Sequence, residues 1–293
     1  MKLGKRIRQS VDEVTGSSVV ELGNLRKLHV NDDENAFSCM NVAPPKHWIE
    51  EGHTPQHAFY VWGQHLVSAF VEEVTSLYRE TEDYSRKHVK AEDEYMPSGP
   101  PVSPLTGSYF SYWASFDLRF GKHSETMGQA LVDLFDAYKV SGWPKQVLEK
   151  MTASRMGVYE HVGFESDRIL LREFITDQTL PCICPAGYAG KKGEIWLVRL
   201  LPPILDTDPW MVAITPYVIS YPKQEWDAYF ERTLFRMRKP NLAEAYEKLM
   251  KQGENLHYWH EYIVLAFSNF QRDAIFLTGV PDDPSSLPHA ADN

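Results

Sequence analysis

The chain has 293 residues, enough for one large or two modest domains. An apolar share of 43% and an aromatic share of 13% supply a substantial core and exclude a wholly disordered chain. A formal net charge of −10 works against broad electrostatic binding to nucleic acid or an anionic membrane, and no apolar run is long enough to span a bilayer.

Three cysteines, an odd number, make no disulfide framework, so a reducing, cytoplasmic setting is expected. The opening MKLGKRIRQSVDEV is basic but has no apolar run, so it is not read as a secretory signal. Residues 1–36 are polar and mixed in charge, and the plain reading is a solvated, partly helical arm. Lys2, Lys5, Arg6 and Arg8 give an anion-binding arm as the lesser alternative. The acidic loop Asn31–Asn35 lacks the glycine and the distal Glu of a calcium loop.

Thr54-Pro55 opens a helix, because Thr caps well and Pro suits the first helical position. Phe59, Trp62, Leu66, Phe70, Val74 and Leu77 recur at helical spacing, and the helix is expected to run to about Tyr84. The charged stretch 86–94 continues it on the surface. PSGPPVSPLTG at 97–107 reads as a linker between a helical region at 1–96 and the rest. Tyr109, Tyr112, Trp113, Phe116 and Phe120 then suit a buried helix that Gly121 ends. Further helices are expected at 124–138 and 144–151.

From Met156 to Ile219 the chain changes character. Five strands are expected, at 157–163, 168–175, 180–184, 194–201 and 210–219, with turn clusters between them. EIWLVRLL at 194–201 is nearly continuous apolar, as a strand buried on both faces would be. Pro216 places a sheet edge or bulge near the end of the last strand. Strands at this spacing suggest a small barrel or curled sheet. SYFSYWASFDLRF at 108–120, followed by DRILLREFITDQTLPCICP and GEIWLVRLLPP, resembles a helix-plus-small-β segment of uncharacterised bacterial proteins. Some of those are similar to proteins that carry the Cys-rich SEC-C zinc motif. The resemblance covers about 108–219 and implies an α+β arrangement and no activity.

Helices are expected again at 222–237, 241–251 and 255–270, completing an α+β region at 108–280, and 281–293 reads as a Pro- and Asp-rich tail. The expected fold is therefore α+β, with helical N- and C-terminal regions around a small central β-barrel or curled sheet.

Several clusters invite chemistry. His257, His260 and Glu261 in HYWHE lie within one helical turn, and imidazole with carboxylate suits zinc or another divalent metal. The spacing is not that of a zinc protease helix, and aromatic helix packing with surface histidines is the preferred reading. His57 and His65 stand two turns apart on the Thr54 helix, too far for one ion, with His53 ahead of the cap. A joint site of His57 with His257 across two helices is the remaining metal option. Cys182 and Cys184 offer two of the four ligands of a closed zinc site, so alternating strand cysteines are expected. Gly190-Lys191 lacks the first glycine, the Ser/Thr and the following helix of a phosphate loop, which leaves a flexible basic loop able to touch a partner. Asp206 and Asp208 suit a turn. Arg199, inside an apolar strand, must be paired if buried; a rim position or an ion pair with Glu160 or Glu173 is expected over an anion anchor.

The functional expectation is a cytoplasmic binding or regulatory module without a cofactor, whose partner is a protein rather than nucleic acid or membrane. The alternative is a metal-dependent hydrolase built on His257, His260 and Glu261. A nucleic-acid role for the barrel ranks third.

Overall fold

The computed structural model describes residues 2–13, 42–95, 104–206, 208–220, 222–253, 266–268 and 275–277. The fold is α+β with a closed five-stranded barrel. The chain divides into two compact units: 1–88, 114–153 and 204–208 in the first; 89–113, 154–203 and 209–293 in the second. The helices of 114–153 thus group with the N-terminal helices, and the unit boundaries do not follow the 97–107 segment.

The first unit is helical. Its central helix is α3 (Pro55–Leu77), preceded by α1 (Leu3–Glu13) and α2 (Pro45–Glu50) and followed by α4 (Glu82–Tyr95), which begins in this unit. α5 (Pro104–Phe116) ends in it, and α6 (Met127–Ala137) and α7 (Trp143–Ala153) complete it. The Thr54 hydroxyl accepts from the His57 backbone N–H at 3.4 Å, so the cap read from the sequence is present. Trp62, Leu66, Phe70 and Val74 are buried, and Trp143 packs against Phe59 and Trp62 with ring centroids 4.7 Å apart in both pairs.

Three expectations change here. α3 stops at Leu77, and a 3₁₀ turn at Arg79–Thr81 separates it from α4; the Thr81 hydroxyl bonds back to the Tyr78 and Val74 carbonyls. α5 starts before Tyr109 and ends at Phe116, short of Phe120, which instead forms a β-bridge with Glu125. The N-terminal helix is docked and is not a solvated arm. Leu3 and Ile7 are buried, the Leu3 N–H donates to Glu125 Oε1 at 3.0 Å, and Lys2 pairs with Asp133 at 3.0 Å. Gly4 makes this docking possible, since a Cβ there would stand 2.5 Å from the Ala130 carbonyl oxygen.

The second unit is built on the barrel. Strands β1 (Arg155–Glu165), β2 (Arg168–Glu173), β3 (Thr179–Ile183), β4 (Ile195–Leu201) and β5 (Trp210–Val212) close in the order β1-β2-β3-β5-β4, with β4 returning to β1. β1 is long enough to serve two neighbours: residues 155–160 pair with β4 and 159–165 with β2. β3 and β5 pair in parallel, and the remaining barrel pairs are antiparallel. Tyr159, Ile169, Leu171, Leu180, Cys182, Trp196, Val198, Leu200 and Val212 pack inside. All seven residues of β4 are buried, as its apolar run requires.

The expected last strand, 210–219, is two strands. The chain bends at 213–215, and β6 (Tyr217–Ile219) pairs with the other end of β4. β6 extends the sheet to β8 (Ile275–Leu277) and then β7 (Ala266–Ser268). β7 falls within the expected helix 255–270, so that helix does not run through 266–268. Helices α8 (Lys223–Arg236) and α9 (Leu242–Gln252) complete this unit, close to expectation.

Candidate docking surface

α8 is amphipathic. Trp226, Tyr229, Phe230, Thr233 and Leu234 recur on one face and are buried. Phe235 follows Leu234 by one residue, a rotation of about 100°, and so leaves that face. It is 84% exposed, the most exposed large apolar side chain among the described residues. The helix ends immediately after it. The Met237 N–H bonds to the Thr233 and Leu234 carbonyls, and Arg238 turns the chain in the left-handed conformation at φ 50°.

α9 starts four residues later behind an asparagine N-cap. The Asn241 side chain accepts from the Glu244 N–H at 2.9 Å, and its amide donates to the Glu244 carboxylate at 2.8 Å. Leu242, the first helical residue, is 62% exposed. Ala245, Tyr246, Leu249 and Met250 point inward. The Tyr246 hydroxyl accepts from the Val158 N–H at 2.7 Å, and its ring packs on Phe230 at 5.5 Å. The two helices are thereby fastened to β1 and to each other, so their corner is a rigid support.

Two hollows open on this corner and share Leu234, Phe235, Arg236 and Leu242. The first, about 750 Å³, runs toward the β2–β3 turn and adds Ile175, Asp227, Ala228, Glu231 and Arg232. The second, about 640 Å³, lies over the α8–α9 turn and adds Arg238, Lys239, Pro240, Asn241 and Ala245. Phe235 and Leu242 thus stand between two concavities, with cations on one side and mixed charge on the other. Among the lining residues of the second hollow are three cations and no carboxylate. In the first, Asp227 is engaged by Lys223 at 3.0 Å, which also lies 4.0 Å over the Phe174 ring.

The residues singled out from sequence are distributed elsewhere. His257, His260 and Glu261 lie outside the described residues. His53 and His57 stack with centroids 4.4 Å apart, and Trp48 lies 5.9 Å from His53 and 5.1 Å from His65. Burial first, and the charge of His53 second, push the His57 imidazole down to about 4. Among the described residues no three His, Cys, Asp or Glu converge as metal ligands would. Cys182 is sealed in the barrel core, where burial pushes its thiol well up; Cys184 is half-buried just beyond β3, and both are free thiols.

Arg199 is 1% exposed, so the rim position is wrong. Nor does it take the expected carboxylates: Glu173 binds Arg155 in a bidentate pair at 2.8 and 3.2 Å, and Glu160 binds Arg172 at 2.8 Å. The Arg199 guanidinium instead donates to the Ser154 hydroxyl at 3.2 Å and lies 5.7 Å from the Tyr112 ring centroid. The Gly190-Lys191 loop is pinned over one end of the barrel. Tyr188 and the Trp196 indole both donate to Glu194, at 2.9 and 3.1 Å, and His161 Nε2 meets the Ala189 carbonyl at 3.1 Å. Gly190 itself is left-handed at φ 66° and sits against Trp196 where no side chain fits. Asp208 accepts from the Leu205 N–H at 2.9 Å, the turn role expected of it.

Sequence reasoning missed Phe235 and Leu242. The available signal was local: FRMRKPNL places an apolar residue off the buried face of a helix, beside a run of cations. No described helix is long and apolar enough to cross a membrane. No family model, no curated protein and no solved structure matches this chain.

Proposed function

We propose that the protein is a binding module of a reducing, cytoplasmic setting, and that it engages a protein partner through the α8–α9 corner. The observation that carries this reading is Phe235, a nearly fully exposed aromatic ring between two hollows on a rigid support. Burying a Phe side chain is worth about 1.5–3 kcal/mol, and folding leaves that gain unused. Aromatic anchors set among apolar neighbours with a polar rim are the usual centre of a protein interface. Leu242, Ile175 and Ala228 supply the neighbours and the arginines the rim.

Site-directed photo-cross-linking tests the reading. A benzophenone side chain is placed at Phe235 and, as a control, at Phe164, which is exposed on β1 of the same unit. The expected result is one discrete adduct from position 235 that position 164 does not give. That partner, purified, then binds the native protein and not the Phe235→Ser variant. Equal adducts from both positions, or binding retained by Phe235→Ser, contradict the reading.

A further inference from the structure

We infer that the docked partner segment is an acidic, apolar peptide, a conclusion that rests on the docking reading above and specifies its ligand. The chain carries a net charge of −10, yet the hollow over the α8–α9 turn is rimmed by Arg236, Arg238 and Lys239. All three are exposed. No carboxylate is among the residues that line this hollow; Glu244, beside it in sequence, bonds to Asn241. Glu231 and Asp227 lie on the opposite side of Phe235, in the other hollow. The corner is therefore polarised, positive over the turn and mixed toward the barrel.

A ligand matched to this arrangement places large apolar side chains on either side of the Phe235 ring and carboxylates over the turn. A nucleic-acid strand fits poorly, because its phosphates would meet Asp227 and Glu231 on the barrel side and its polar backbone would cover Leu242 and Ile175. Charge complementarity of this kind sets partner choice and association rate more than it sets affinity. It matters here because the rest of the molecule repels acidic partners.

The test uses fluorescence anisotropy of the full-length protein with two labelled synthetic peptides. Both carry leucines at helical spacing; one has glutamates between them and the other lysines. The Glu peptide is expected to bind at least about tenfold more tightly than the Lys peptide, with the preference shrinking as salt rises. Arg238→Gly combined with Lys239→Glu should remove most of that preference, while Arg238→Gly alone leaves the melting temperature level or higher. Phe235→Ser should weaken both peptides. A Lys peptide that binds as well as the Glu peptide, or a Glu peptide indifferent to the two rim substitutions, overturns the acidic-ligand inference. If Phe235→Ser still weakens binding in that case, the docking reading survives it. Peptide binding untouched by Phe235→Ser sinks both. Absence of Glu-peptide binding at millimolar concentration overturns the inference. So does sedimentation of the native protein as a dimer that Phe235→Ser dissolves, which would assign the surface to a second copy.

Discussion

Glu173 and Glu160 lie on adjacent barrel strands and each meets an arginine, but their surroundings differ. The Glu173 carboxylate is 5% exposed and accepts from Arg155 and from the Thr176 hydroxyl at 2.6 Å, whereas the Arg172 partner of Glu160 is 42% exposed. Removing one member of a buried pair strands the other charge, so Glu173→Ala is expected to cost about 3 kcal/mol or more. Glu160→Ala should cost less than about 1 kcal/mol, because water and salt screen that pair. Urea unfolding of the two variants checks the ranking, and equal costs would contradict it. His57 makes a pH prediction. Its folded value of about 4 lies below the ordinary 6.5, so the fold favours the neutral ring. The associated stability is present above pH 6.5 and drains away as pH falls from 6.5 to 4. Because the ring is only partly buried, screening reduces the effect to about 1 kcal/mol. His57→Gln should flatten the acid side of the stability profile over that window, with an unchanged slope counting against the assignment.

At the scale of elements, α1 gives a prediction whose sign is informative. On a solvated helix, Gly4→Ala would stabilise by about 0.5–1 kcal/mol, because alanine is the better helix former. Against α6 the new methyl meets the Ala130 carbonyl and the Leu134 N–H, so a loss of about 1–3 kcal/mol is expected instead. Hydrogen exchange across residues 3–13 should speed up with it. The docking was illegible in the sequence because Leu3 and Ile7 are only two apolar residues in a basic stretch, and the glycine that lets the helices approach carries no pattern. Elements whose signals are local were legible. Thr54-Pro55 and Asn241 cap the helices they were expected to cap or border, and β4 follows from one unbroken apolar run. Where the reading failed, tertiary pairing decided. Residues 210–219 look like one strand, yet β5 serves β3 and the 200–201 end of β4, while β6 serves the 195–197 end. Pro216, with no N–H to offer a ladder, lies between the bend at 213–215 and β6.

For the whole molecule, the average charge of −10 masks a local basic rim, and the helical periodicity that marks a buried face carries no information on an apolar residue lying off it. The candidate site was therefore far less legible than the fold. Phe230 and Phe235, five residues apart on α8, embody the distinction: one is fully buried beneath the helix and the other is left outside it. The proposed docking role requires Phe235 to be surplus to folding. Urea unfolding of Phe235→Ser beside Phe230→Ala tests this most directly. Phe230→Ala is expected to cost about 3–5 kcal/mol, and Phe235→Ser to leave stability within about 0.5 kcal/mol of the native protein. A loss of several kcal/mol in Phe235→Ser would mean that the ring is part of the packed fold, and the docking surface would not exist.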